Sequence, residues 1–348
     1  MVLFSFGLPG RFGEWCDFVT IRMAEAALGS IAAIAPNTPE ELAIALINEE
    51  GRSFVVSGRL APGWLRQVVV ATNKPFVISL DDPRVATWEA VSRSGLEVAD
   101  ATRRVGCSYV SMMSCIALSG ALVVRADRDW HQPVATAAAI AHHLGLAVGL
   151  ADIERVVGDL AALGLGSQSD PLGSDASQPD EATLDVISGA VAPYFGHHTG
   201  AALGPITWAR ELFLADGHQP ATHPVDMTGR SRALIYGPYI SLLPGHWMAQ
   251  VVLGFSHEVG EMNFLVDVLT AGSQLSVTSI RPLKSGVFSA NLRFLIGEGN
   301  DHPVEFRVVN ERAAIDGRVM LGHVTLTLQH DSSSEAVEPL TTELGLSR

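Results

Sequence analysis

The residues best placed to do chemistry stand at the start of the chain. Gly7, Pro9, Gly10, Arg11 and Gly13 fall between a short apolar run at residues 2–6 (VLFSF) and a stretch of helical period that begins at Glu14 and reaches Leu28. A strand, a glycine-rich turn and a helix start in that order make an anion site. Backbone N–H groups point into the turn, and the helix dipole favours negative charge there. A second group follows the apolar run 121–125 (ALVVR): Asp127, Asp129 and His131. A histidine at such a strand end is a candidate general base. Other combinations are weaker. His142 and His143 are consecutive on a helix and face apart. His197 and His198 sit in a glycine-flanked loop (FGHHTG). No HExxH or Cys/His spacing supports a metal, so none is expected. Ser111, Ser114 and Cys115 lie on a helix without a G-x-S-x-G elbow, which leaves no acyl-transfer nucleophile.

Composition bounds what these groups can serve. The chain has 348 residues, 47% hydrophobic and 17% charged, so it is a folded, core-rich protein long enough for two domains. Net charge is −14, which argues against a nucleic-acid partner, since a duplex needs a basic face. Cys16, Cys107 and Cys115 form no even framework and no CxxC pair. They read as reduced thiols of a cytoplasmic protein. The first residues lack a basic n-region and cleavage site, so no signal peptide is expected. No apolar run approaches about 18–20 residues, so no membrane span is expected.

The elements that must position the glycine turn are legible as a pattern. Short, nearly unalternating apolar runs at 2–6, 52–57, 76–80 and 121–125 alternate with helical periods at 38–48, 62–69, 84–94, 97–118 and 134–144. That pattern predicts an α/β domain with a parallel sheet covered on both faces, ligands lying beyond the carboxyl ends of the strands. One more helix, 150–162, completes a domain of residues 1–163. Residues 164–227 read as a linker and bridging segment: a Gly/Ser/Asp/Pro-rich stretch at 164–180, a short helix at 181–194 and irregular chain beyond. From residue 228 to 330 apolar/polar alternation with regular turns predicts an antiparallel β-sandwich. Residues 331–348 read as a flexible tail.

The N-terminal half resembles the P-loop sulfotransferases. The turn GLPGRFG at residues 7–13 is similar to that family's G-x-P-[RK]-S-G-[TS] loop. Asp81-Asp82-Pro83-Arg84 is similar to its R-[DN]-P-R motif. The run LVVRAD at 122–127, with Pro133, Thr136 and HLGL at 143–146, is similar to its L-V-x-R-Y-E-D-L strand and following helix. The resemblance implies a site for the donor 3′-phosphoadenosine 5′-phosphosulfate. Gly7, Pro9, Gly10, Arg11, Gly13 and Arg84 would hold it, and Arg11 would stabilise the departing charge; a His or Glu often serves as base in that family, a role His131 could take by its pKa. The same alignment shows donor motifs that depart from the family. Phe12 stands where serine would donate to phosphate, Asp81 where arginine would bind the 3′-phosphate, and Glu89 where a serine would help it. A carboxylate in place of a cation turns attraction into repulsion.

The sandwich resembles a carbohydrate-binding module of the jelly-roll type, through GPYISLLPGHW at residues 237–247. That resemblance implies a sugar face built from Tyr236, Tyr239, Trp247, Asn310, Glu311 and Arg312, which supply an aromatic platform and hydrogen-bond forks. Together the two halves suggest a sulfotransferase-like protein acting on or binding a glycan or polysaccharide, as in exopolysaccharide biosynthesis, alone or within a biosynthetic protein complex. The alternative is a non-catalytic scaffold, a pseudoenzyme that binds carbohydrate or protein.

Overall fold

The structure, a computed structural model, describes residues 1–36, 38–48, 51–58, 63–165, 179–260, 262–300 and 302–329. The predicted tail at 331–348 and most of the Gly/Ser-rich join lie outside the described residues.

The N-terminal half runs β1 (Val2–Gly7), α1 (Arg11–Leu28), β2 (Ile31–Ile34), α2 (Pro39–Asn48), β3 (Ser53–Gly58), α3 (Gly63–Thr72), β4 (Phe76–Leu80), α4 (Pro83–Ser94), α5 (Val98–Ile116), β5 (Ala121–Arg125), α6 (Ala126–Asp129), α7 (Pro133–His143) and α8 (Leu150–Ala162). Its sheet is five-stranded, in the order β2-β3-β1-β4-β5, with every neighbouring pair parallel. This is the α/β architecture that the pattern predicts, with one strand more. The additional strand, β2, is four residues (IAAI) at the sheet edge. Its brevity and small side chains give too little contrast for a strand signal.

The two faces of the sheet are lined by alternate residues. Leu3, Val55, Val77 and Val124 pack under α1, α7 and α8. Phe4, Phe6, Val56, Phe76 and Ile78 point the other way, toward α5. Val191 and Tyr194 of α9 (Glu181–His198) join that second layer. The helix α9 continues four residues past the predicted end at Tyr194. His197 and His198, expected in a loop, are therefore its last turn.

The C-terminal half is an antiparallel sandwich, as the alternation predicts. It comprises β6 (Ile206–Ala209), β7 (Leu214–Ala215), β8 (Gln219–Pro220), β9 (Val225–Asp226), β10 (Ala233–Ile240), β11 (Gly245–Phe255), β12 (Phe264–Thr270), β13 (Ser273–Ile280), β14 (Gly286–Ile296), β15 (Val304–Asn310) and β16 (Arg318–Gln329). One sheet has the order β13-β12-β15-β10-β7-β8; the other has β14-β11-β16-β6, with β9 also on β16. The stretch 206–226, read from sequence as part of a bridge, thus supplies four short strands to the sandwich. Runs of two to four residues are too short to carry a period-2 signal.

The two halves share one core among the described residues. Phe76 and Ile78 of the parallel sheet, Tyr109 of α5, Tyr194 of α9, and Trp208, Trp247 and Phe306 of the sandwich belong to a single apolar cluster. The helix α5 touches β5 on one side and β10 on the other. Cys107 on α5 receives the Ser241 N–H at 3.4 Å across that seam.

Candidate functional site

The glycine turn sits at the carboxyl end of β1, beside the end of β4, where the order of the strands reverses. Ligands of open parallel sheets gather at such a point. The helix begins earlier than its period suggests. Arg11, Phe12 and Gly13 are already in α1, and Gly10 is its N-cap. Each glycine answers a different constraint. Gly10 holds φ 147°, a conformation that L side chains avoid. A Cβ on Gly7 would lie 2.2 Å from Ser79 Oγ, and one on Gly13 would lie 2.4 Å from the Leu8 carbonyl oxygen. The second contact is with backbone, which cannot swing aside. Gly13→Ala is expected to cost about 1–3 kcal/mol by overpacking, read as a lower urea midpoint at unchanged slope.

The space above the turn is held by carboxylates. Arg11 N–H, one of the free donors of the first helical turn, donates to Glu89 Oε2 at 2.8 Å. Glu89 itself is buried, 6% exposed. A Cβ on Gly10 would meet Glu89 Oε2 at 3.1 Å and Asp81 Oδ2 at 3.7 Å, so both carboxylates converge on one spot. Arg93 binds Glu14 at 3.1 Å and approaches Glu89 at 3.8 Å. The Arg11 Nε lies 4.0 Å from Glu89. Burial pushes the Asp81 carboxyl up to about 7, with Glu89, Asp82 and Asp127 adding to the rise against the Asp82 N–H it accepts. Burial raises Glu89 as well, opposed by the Arg11 N–H and by Arg93 and Arg11.

The remaining α/β candidates are engaged with one another or exposed. Arg84 binds its own N-cap residue, Asp82, through Nε at 3.0 Å and Nη2 at 2.5 Å. Arg125 binds Asp127 in the same two-pronged way. Asp129 accepts the Arg125 N–H at 2.8 Å. His131 is exposed in the turn between α6 and α7. Pro9 is half-buried in the turn itself. Thus Gly7, Pro9, Gly10, Arg11 and Gly13 stand together, whereas the Arg84 guanidinium is already occupied.

The predicted sugar face is corrected in part. Trp247 is 1% exposed and its Nε1 donates to the Leu243 carbonyl at 2.9 Å. Asn310 is wholly buried; its Oδ1 accepts the Arg232 N–H at 2.8 Å and its Nδ2 donates to the Arg312 carbonyl at 2.9 Å. Both are interior residues, because β11 and β15 alternate and these positions face inward. Glu311 and Arg312 are exposed in the turn beyond β15, at the opposite end of that strand from Glu305. Tyr236 and Tyr239 do stay at the surface of the sandwich, on β10, which turns through a cis Gly237–Pro238 bond.

Around those tyrosines the fold gathers groups that the motif reading missed. Tyr239 O–H donates to Glu305 Oε1 at 3.0 Å. The Arg103 guanidinium, reaching from α5, lies 5.8 Å from the centre of the Tyr239 ring. Its Nε donates to the Pro238 carbonyl at 2.6 Å. Burial and the Glu305 carboxylate push the Tyr239 phenol up to about 12. Tyr236 O–H pairs with His218 Nδ1 at 2.8 Å. Arg307, opposite Tyr236 in register, makes a two-pronged pair with Asp267. A cleft of about 310 Å³ opens beside Tyr239 and Glu305, closed by Leu269, Thr270, Gly272 and His302. The signal for Glu305 was present in β15: in V-E-F-R-V the charged residues share one face and the apolar ones the other.

Among the described residues no group of three or more His, Cys, Asp or Glu side chains is arranged to hold a metal ion. No helix there is long and apolar enough to cross a membrane.

No protein-family model matches the sequence, and no curated protein matches it. Solved structures return the two resemblances carried by the motifs. A mouse sulfotransferase complexed with PAP is similar to the N-terminal half, at 13% identity, covering 50% of this chain and 72% of that one, with a TM-score of 0.38. Retinol dehydratase in complex with androsterone and inactive cofactor PAP is similar at 12% identity, covering 58% and 81%, with a TM-score of 0.36. For the sandwich, a family 16 carbohydrate binding module is similar at 9% identity, covering 37% and 79%, with a TM-score of 0.23.

Proposed function

We propose that this protein binds a neutral glycan on its sandwich and transfers nothing to it, the α/β half serving as a folded platform. The observation that carries this reading is the Glu89 carboxylate on the Arg11 N–H. It takes the donor a phosphate would need at the helix start. A charge-assisted bond of this kind contributes about 1.5–3 kcal/mol, and a dianion entering would also meet Asp81, whose Oδ2 would lie 3.7 Å from a Cβ on Gly10. The residues present therefore do not fit 3′-phosphoadenosine 5′-phosphosulfate, and no transfer step is derived through it. Arg84, the remaining family cation, is tied to Asp82.

The cleft at Tyr239 supports the glycan side of the reading. A phenol ring gives a flat apolar surface for sugar C–H groups. Glu305, with Oε2 free of the Tyr239 bond, offers a partner to ring hydroxyls. The Glu305 carboxylate disfavours sulfated or uronic sugars by like charge. A neutral stretch of polysaccharide, such as exopolysaccharide assembly handles, has the right chemistry.

A glycan array with the full chain tests the cleft. Tyr239→Ala is expected to weaken neutral-glycan binding at least tenfold, and Tyr239→Phe less. Binding that survives Tyr239→Ala removes the cleft from the reading. Calorimetry with adenosine 3′,5′-bisphosphate tests the platform, with no saturable heat expected at millimolar nucleotide. Micromolar binding abolished by Arg11→Ala would restore the transferase.

A further inference from the structure

A second cavity lies on the seam between the halves, away from both the glycine turn and the Tyr239 cleft. Its volume is about 360 Å³, within the range of small-ligand sites. The helices α3 and α5 and the end of α9 form one wall. The β10–β11 and β14–β15 turns and β16 form the other. Most of the lining is apolar, with Val110, Met113, Leu243, Pro244 and Leu328 prominent.

One cation enters this apolar space. Arg66 lines the cavity, and its Nε donates to the Ser114 carbonyl at 3.2 Å. That carbonyl belongs to the last turn of α5, where helical acceptors lack partners. The bond fixes the guanidinium by one edge and leaves Nη1 and Nη2 to serve as a fork. Among the described residues no carboxylate lies within 4.0 Å of it, in a chain of net charge −14. Most arginines around the glycine turn, by contrast, are paired with acids. His197 sits on the same wall, its Nδ1 held by the Ala201 carbonyl at 3.2 Å. Among the described residues the one carboxylate on the lining is Glu298, which is exposed.

We propose that this cavity binds a small amphipathic carboxylate, its head forked on Arg66 and its apolar body against Val110, Met113, Leu243 and Leu328. A guanidinium binds a carboxylate by two parallel N–H···O bonds. Apolar walls strengthen that pair by lowering the local dielectric. An uncharged body of the same shape keeps the wall contacts and loses the head. The ligand would touch both halves at once and hold the seam closed.

Octanoate is the probe, titrated into the full chain by calorimetry, with octan-1-ol as its uncharged counterpart. One saturable site is expected for octanoate, with octan-1-ol at least tenfold weaker. Arg66→Gln should weaken octanoate at least tenfold, and Arg66→Lys less. A thermal melt of each variant without ligand checks that it is folded. The octanoate-to-octanol ratio is measured on the unaltered chain, so it stands even if a variant fails to fold. No saturable heat for octanoate at low millimolar concentration would overturn the proposal. So would equal affinity for octan-1-ol, or affinity unchanged in a folded Arg66→Gln chain.

Discussion

Trp247→Ala is expected to remove about 3–5 kcal/mol of stability, the usual cost of deleting a large aromatic from a core. The ring is 1% exposed and belongs to the cluster that runs from the sandwich into the parallel sheet. Its Nε1 bond to Leu243 would be lost as well, leaving a buried carbonyl short of a partner. A loss of this size is a large share of a domain's net stability. Tyr239→Ala, at the surface, should move the urea midpoint far less while it removes the proposed glycan platform. Urea melts of both variants check this. A Trp247→Ala chain as stable as the parent, with sugar binding lost instead, would return Trp247 to the sugar face.

Asp81→Asn is expected to stabilise the protein at pH 8. The native carboxyl titrates at about 7 against an ordinary 3.8, chiefly because it is buried. Between those values the native state holds a proton that the unfolded chain has lost. Stability from this group is therefore fully present below about pH 4, falls as pH rises through that window, and levels off above about 7. The gap between those two values caps the effect at about 4 kcal/mol, and partial solvent access lowers it to about 1–3 kcal/mol. An asparagine keeps an oxygen for the Asp82 N–H, which Asp81 Oδ1 accepts at 2.8 Å. It also removes the like charge beside Glu89. Urea unfolding at pH 4 and pH 8 reads the result: a gain at pH 8 that vanishes near pH 4. No gain at pH 8 would mean that Asp81 is better solvated than its surroundings indicate.

The sequence carried the architecture more fully than the site. Period-2 and period-3.6 patterns located the long elements of both halves, since a buried face leaves a mark on every second or every third to fourth residue. Strands of two to four residues leave none, and β2 and β6 to β9 are illegible for that reason. The glycine turn is legible as a motif, and Asp81 and Glu89 are legible as misfits within it. That Glu89 reaches back from α4 to the Arg11 N–H depends on how α4 crosses the sheet, which no local pattern records. Trp247 and Asn310 pass for surface residues because aromatic and amide types suit a sugar as well as a core. Their phase along β11 and β15, inward with Ala249 and Val308, is the better guide.

With α5 and α9 apolar toward both neighbours, the chain is poor material for cut-and-paste. Severed at the Gly/Ser-rich join, the first half would keep α5 but lose α9, and the second would keep α9 with the face it turns to α4 and α5 uncovered. Domain boundaries drawn from composition mark where insertions are tolerated. They do not mark where this molecule comes apart. Recombination that exchanged the sandwich for another of the same shape would have to inherit a seam as well as a fold. The two halves are therefore expected to travel together through duplication.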